Sequence, residues 1–141
     1  QRQMCIRDRK RCIVPSTGYF EWRHEGSKKI PYYIYLKDEP IFSMAGIYDT
    51  WLDKETGEEH TTFSIITTET NPLTDYIHNT KHRMPAILSM EDEVKWLSPN
   101  LSKAEITSLL KPYDVKLMDA YIIENDFIKK ASTDPSILQR A

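Results

Sequence analysis

The chain has 141 residues, the size of one ordinary domain with a proper hydrophobic core and too short for two comfortable ones. Its 40% hydrophobic and 28% charged content places it among globular chains and excludes the disordered and membrane classes. A formal net charge of −2 gives no whole-molecule attraction to phosphate, so any contact with nucleic acid must come from a local patch.

The start, QRQMCIRDRKR, is polar and charged and lacks the apolar centre of a secretory signal. No run approaches the roughly 18 apolar residues of a spanning helix, so a cytoplasmic protein without a membrane partner is expected. Cys5 and Cys12 cannot build a disulfide framework. RCIVPSTGYFEW begins with an apolar pair, breaks at Pro15-Ser16-Thr17-Gly18, and resumes as an aromatic strand in which Tyr19 and Glu21 share one face and Phe20 and Trp22 the other. After a turn over Arg23 to Lys29, IPYYIYLKD predicts a second strand and IFSMAGIYDTWLD a third, with Gly46 as a bulge or close-packing point. KETGEEH has hairpin-turn composition and TTFSIITTE predicts a fourth strand. An antiparallel meander is the natural result.

The texture then changes. Asn71 followed by Pro72 predicts the cap and first residue of a short helix carrying His78 at its end. Pro85 forbids helical conformation at Met84. Ser89 ahead of Glu91, Asp92 and Glu93 predicts a helix through Trp96, Ser102 caps another before Pro112, and DVKLMDAYII is a last strand candidate. The fold class expected is α+β, mainly antiparallel β, with short peripheral helices.

His78 and His82 stand four apart, a spacing that suits a helical metal site. No third ligand has matching spacing, no Glu lies between them to act as base, and Pro85 interrupts the helix, so no metal and no cofactor are expected. Nucleophile-elbow and phosphate-loop motifs are absent from the sequence. Two basic clusters, Arg7-Arg9-Lys10-Arg11 and Lys81-His82-Arg83, are either solvated surface or local phosphate contacts. What remains is Glu21 on an aromatic strand, His78 at a helix end, Thr67 and Thr68 on another strand, and an Arg-Met-Pro turn. A carboxyl and an imidazole in one pocket can share proton transfers. Spacing alone does not say that they converge, and an edge-strand Glu21 in water is the plainer reading of the residues by themselves.

RCIVPSTGYFEW, then PYYIYL, FSMAGIYDTW and FSIITTETNPLTDYIHNTKHRMPAIL, resembles in order the SOS response-associated peptidase (SRAP) family of abasic-site-processing proteins, over roughly residues 11 to 125. The resemblance implies a barrel-type, mainly β sheet with a single-stranded-DNA groove leading to a small pocket. There an N-terminal cysteine links to the ring-opened aldehyde of an abasic site, its α-amine forming a Schiff base and its thiol closing a thiazolidine. By motif match Glu21 and His78 are the implied proton handlers and Thr67 a hydrogen-bonding neighbour of the deoxyribose. Trp22 is the implied shaper of the DNA groove, Arg83 a phosphate contact, and Met84 and Pro85 an apolar wedge at the lesion.

Two departures stand out. Four residues, Asn79-Thr80-Lys81-His82, separate His78 from Arg83 where the commonest family form has one, which leaves His82 as an alternative imidazole. At the front, Met4-Cys5-Ile6-Arg7 only superficially matches the family's Met-Cys-Gly-Arg, and an Asn-Ala-Arg motif is missing. Residues 1–9 are therefore expected to be a foreign leader and 10–141 the C-terminal portion of an SRAP domain. Cys5 has an amide nitrogen unless the chain is cut before it, so no cross-link is expected from the polypeptide as it stands. A self-cleaving thiol peptidase and a non-catalytic single-stranded-DNA module are the rival functions.

Overall fold

Alternation of aromatic and polar residues over Tyr19–Glu25 (β2) and Lys28–Leu36 (β3) needs only a short turn to form a hairpin, and Gly26, at a φ of 60°, supplies it. The computed structural model describes residues 10–141; the expected leader, with Cys5, lies outside the described residues. In order, the elements are β1 (Lys10–Ser16), β2, β3, β4 (Phe42–Leu52), β5 (Glu59–Ile65), β6 (Thr67–Glu69), helix α1 (Pro72–Ile77), β7 (Arg83–Pro85), β8 (Ile87–Leu88), α2 (Met90–Trp96), α3 (Lys103–Leu109) and β9 (Met118–Ile122). Short 3₁₀ turns fill Val115–Leu117, Phe127–Lys129 and Pro135–Leu138. The α+β class with antiparallel sheets and short helices is as expected from the sequence. Among the described residues no helix is long and apolar enough to cross a membrane.

The simple meander is not what forms. Consecutive pairing holds for β2 with β3 and for β4 with β5, but β1 joins β4, and β9 joins β3 from the far end of the chain. The strands are sorted into sheets of four, three and two strands, the last being β6 with β7, and the described chain divides into two compact units.

The first unit comprises the segment ending at Pro15, Ser43–Thr68 and Pro85–Lys111. Its sheet has the order β1-β4-β5, with β8 also on β4. Gly46 is the close-packing point the sequence predicts: a Cβ there would stand 2.8 Å from the Cys12 Sγ. Ala45, Ala86, Leu88, Ile106 and Leu109 surround the fully buried Trp96. The Trp96 indole N–H donates to the Cys12 carbonyl at 2.9 Å, so its polar edge is satisfied inside the core. Arg11, grouped by sequence with a basic run that is either solvated surface or a phosphate contact, instead donates from Nε to the Trp96 carbonyl at 2.8 Å and from a terminal nitrogen to the Ser98 carbonyl. The Trp96 carbonyl is at the C-terminus of α2 and the Ser98 carbonyl just beyond its cap, where a cation also complements the helix dipole. Both helices start as predicted: Ser89 Oγ accepts from Asp92 N–H at 3.3 Å, and Ser102 forms a reciprocal capping box with Glu105.

The second unit comprises Ser16–Phe42, Glu69–Met84 and Pro112–Ala141. Its sheet has the order β2-β3-β9, which leaves β2 at an edge. One face carries Phe20, Trp22, Tyr33, Tyr35 and Tyr121, packed with Phe127 into an aromatic core; the Phe20 and Phe127 ring centroids are 4.7 Å apart. Gly18 is required by that core, since a Cβ there would sit 2.3 Å from the Tyr33 ring. The last strand begins later than the sequence suggests. Asp114 caps a 3₁₀ turn by accepting from the Lys116 N–H at 3.0 Å, and this local bond displaces the ladder until Met118.

Candidate functional site

Within the second unit, β2 presents Tyr19, Glu21 and Arg23 on the face opposite the aromatic core, with Tyr32 directly across from Glu21. Helix α1 ends beside this face. Asn71 starts it by accepting from the Thr74 N–H at 3.0 Å while its own N–H donates to the Thr74 hydroxyl at 3.1 Å, and Pro72 occupies the first helical position. The helix stops at His78, whose backbone leaves helical conformation at φ −86°, ψ 58° while its N–H still donates to the Thr74 carbonyl at 2.7 Å.

Glu21 and His78, expected from the sequence as a pair, do meet. Glu21 Oε1 accepts from the Trp22 N–H at 2.9 Å, which fixes one oxygen and leaves Oε2 at 3.6 Å from Nδ1 of His78. The same Nδ1 lies 2.8 Å from the Arg83 carbonyl. A carbonyl only accepts, so Nδ1 carries the proton and, in the neutral ring, Nε2 presents the lone pair. With the His78 and Glu21 side chains 18% and 24% exposed, the pair is open to a ligand yet less screened than a surface pair. Chemically, Nε2 can take a proton while Glu21 and the Arg83 carbonyl stabilise the imidazolium, then return it. Tyr19, on the same face, has a buried hydroxyl without a hydrogen-bond partner among the described residues. Burial first, and the Glu21 charge second, hold its phenol well above the ordinary tyrosine range, so it stays neutral.

His82 goes elsewhere. Its Nδ1 donates to Asp75 Oδ1 at 2.6 Å, with both side chains more than half exposed. Its own φ of 49° is in the left-handed region, and its N–H donates to the His78 carbonyl at 3.1 Å, closing the residues between them into a turn. The two imidazoles thus face different carboxylates, and among the described residues no three His, Cys, Asp or Glu side chains gather as a metal site.

The other sequence candidates lie on β2 and on β6 and β7, which pair with each other. Thr67 is exposed at the start of β6, while neighbouring Thr68 donates its hydroxyl to the Leu110 carbonyl at 2.7 Å. Trp22 is half-buried on the opposite face from Glu21, its ring centroid 5.8 Å from that of Phe127. Arg83 has an exposed side chain, and Pro85 is half-buried. Met84 corrects the expectation of an apolar wedge: it is 1% exposed and accepts at Sδ from the Thr74 hydroxyl at 3.4 Å. A thioether packed under α1 supports the turn from below and has no surface left for a ligand.

Sequence reasoning missed Arg23 and Asn79. The Arg23 guanidinium donates to the Tyr76 carbonyl and lies 3.8 Å from the centroid of the Tyr76 ring. The Asn79 side chain pairs with the backbone of His24. Neither partner is marked in the sequence, because the partners are main-chain groups more than fifty positions away. The only available hint was the polar residue directly after the histidine.

A mainly antiparallel α+β protein with a shielded carboxylate–imidazole pair at a strand edge is thereby defined. The family model for SOS response associated peptidase (SRAP) matches residues 3–129, and the chain belongs to this family. It is 39% identical over 132 residues to the abasic site processing protein YoqW of Bacillus subtilis, covering 92% of this chain and 57% of that protein. It is 34% identical over 123 residues to the abasic site processing protein HMCES of Gallus gallus, covering 73% of this chain and 36% of that one. A crystal structure of a Bacteroides thetaiotaomicron protein superposes with a TM-score of 0.92 at 78% identity, covering 94% of this chain and 57% of the other. The chain thus spans about half the length of the bacterial relatives it matches.

Proposed function

We propose that this chain is the part of an SRAP protein that engages abasic sites in single-stranded DNA, with Glu21 and His78 moving protons at the lesion. The observation that carries the reading is the Glu21–His78 pair at 3.6 Å, with the proton fixed on Nδ1 by the Arg83 carbonyl at 2.8 Å. The ring-opened abasic sugar exposes an aldehyde. In the chemistry implied by the family resemblance, a terminal cysteine amine adds to that carbon and the carbinolamine loses water to give an imine. The thiol then adds to the imine carbon, its proton passing to the nitrogen, and a five-membered ring results. Each step moves one proton to or from oxygen, nitrogen or sulfur, the task for which an imidazole backed by a carboxylate is suited. Arg83, exposed beside the pair, supplies a phosphate contact, and Thr67 a hydroxyl for the sugar backbone.

The test is fluorescence anisotropy with two single-stranded oligonucleotides that differ only in one abasic site. The expected result is preferential binding of the damaged strand, reduced by Glu21→Gln and His78→Ala. Equal affinity for both strands, unaffected by either substitution, would overturn the proposal.

A further inference from the structure

The residues that lengthen the connection from His78 to Arg83 are not a neutral insertion. Asn79 follows His78 directly, and its side chain reaches the outer edge of β2: Oδ1 accepts from the His24 N–H at 3.0 Å, and Nδ2 donates to the His24 carbonyl at 2.8 Å. Those two groups are the pair a neighbouring strand would take, and β2 has β3 on its other side only. One carboxamide thus stands in for a strand. Two residues before His78, Arg23 holds the Tyr76 carbonyl and lies over the Tyr76 ring. His78 is therefore pinned to β2 from both sides, next to the strand position that carries Glu21. The far end of the insertion closes on itself through His82, by its N–H to the His78 carbonyl at 3.1 Å and its ring to Asp75 at 2.6 Å.

We infer that Asn79 is a positioning residue: as a strand surrogate on the β2 edge it sets the reach of His78 toward Glu21 and holds the imidazole in its Nδ1–H tautomer. The claim rests on the proposed role of the Glu21–His78 pair for its functional consequence, but not for its structural one. An imidazole on an unanchored helix end would sample other rotamers and tautomers, and small misplacement of a proton-transfer group costs rate steeply.

Imidazole ¹⁵N spectra of the whole chain read the tautomer directly. In the unsubstituted protein His78 should show one Nδ1–H form. Asn79→Ala should convert it to a mixture while the α1 amides keep their positions, and the preference for an abasic over an intact oligonucleotide should be lost in part. Asn79→Asp keeps the acceptor for the His24 N–H but loses the donor, so an intermediate mixture is expected. It also serves if the alanine variant does not fold. An unchanged His78 spectrum in both variants would overturn the inference. If the unsubstituted chain does not distinguish damaged from intact DNA, the proposed function fails, and the spectra still decide the role of Asn79.

Discussion

Helix α1 and the turn after it supply the imidazoles of two carboxylate–imidazole pairs that differ in nearly every respect except composition. Asp75–His82 is the shorter, at 2.6 Å, with side chains 54% and 55% exposed. Glu21–His78 is longer, at 3.6 Å, and largely shielded. Distance alone does not decide their roles, because an exposed pair is screened and contributes little however short it is. The exposed pair bonds neighbours in sequence and closes a turn. The shielded pair joins a strand to a helix 57 positions later, with the ring's second interaction fixed by a carbonyl and its other nitrogen presented outward. Burial and the fate of each lone pair, more than proximity, separate a site from a staple.

The largest effect should come from the shielded pair itself. His78→Ala or Glu21→Gln is expected to remove most of the preference for an abasic over an intact oligonucleotide, with the thermal midpoint nearly unmoved. Loss of folding instead would make the pair a structural strut and collapse the contrast. Next comes Arg23→Ala, which releases the Tyr76 carbonyl; amide exchange at Ile77, His78 and Asn79 should accelerate roughly tenfold while Trp96, in the other unit, keeps its protection.

His82→Ala should change capture by no more than about twofold, as befits an exposed pair. A loss as deep as that of His78→Ala would invert the assignment of the two rings. The smallest effect is one of pH. The His82 hydrogen bond first, and that of the Thr70 hydroxyl second, hold the Asp75 carboxyl below the ordinary aspartate range. A carboxyl lowered on folding adds stability above its unfolded value and loses it as pH falls through the folded one. The turn closed by His82 should therefore loosen only in acid, below about pH 4, visible as line broadening of the Asp75 and His82 amides without change at Trp96.

Much of this was legible beforehand where the determinant is local. Asn71 with Pro72, Ser89, and Ser102 with Glu105 announce helix starts because a cap and its partner lie within three residues. Gly46 announces a close approach because a glycine inside a β-rich run has few other uses. Strand order was not legible: β1 seeks β4 and β9 seeks β3 across long intervals, and alternation says which face a residue takes but not which strand lies beside it. Arg11 read as surface charge or a phosphate contact because its acceptors are main-chain carbonyls 85 and 87 positions away. Glu21 and His78 could be nominated by residue type, and their meeting depended on Asn79 and Arg23 gripping main-chain groups that carry no mark in the sequence. Met84 misled because a motif position says nothing of burial.

The most direct test follows the ring nitrogens of both histidines while a single-stranded oligonucleotide carrying one abasic site is added. The expected result is that the His78 Nε2 resonance moves in step with binding, that Glu21→Gln abolishes the movement, and that His82 stays where it was. Movement of His82 with His78 unchanged would contradict it.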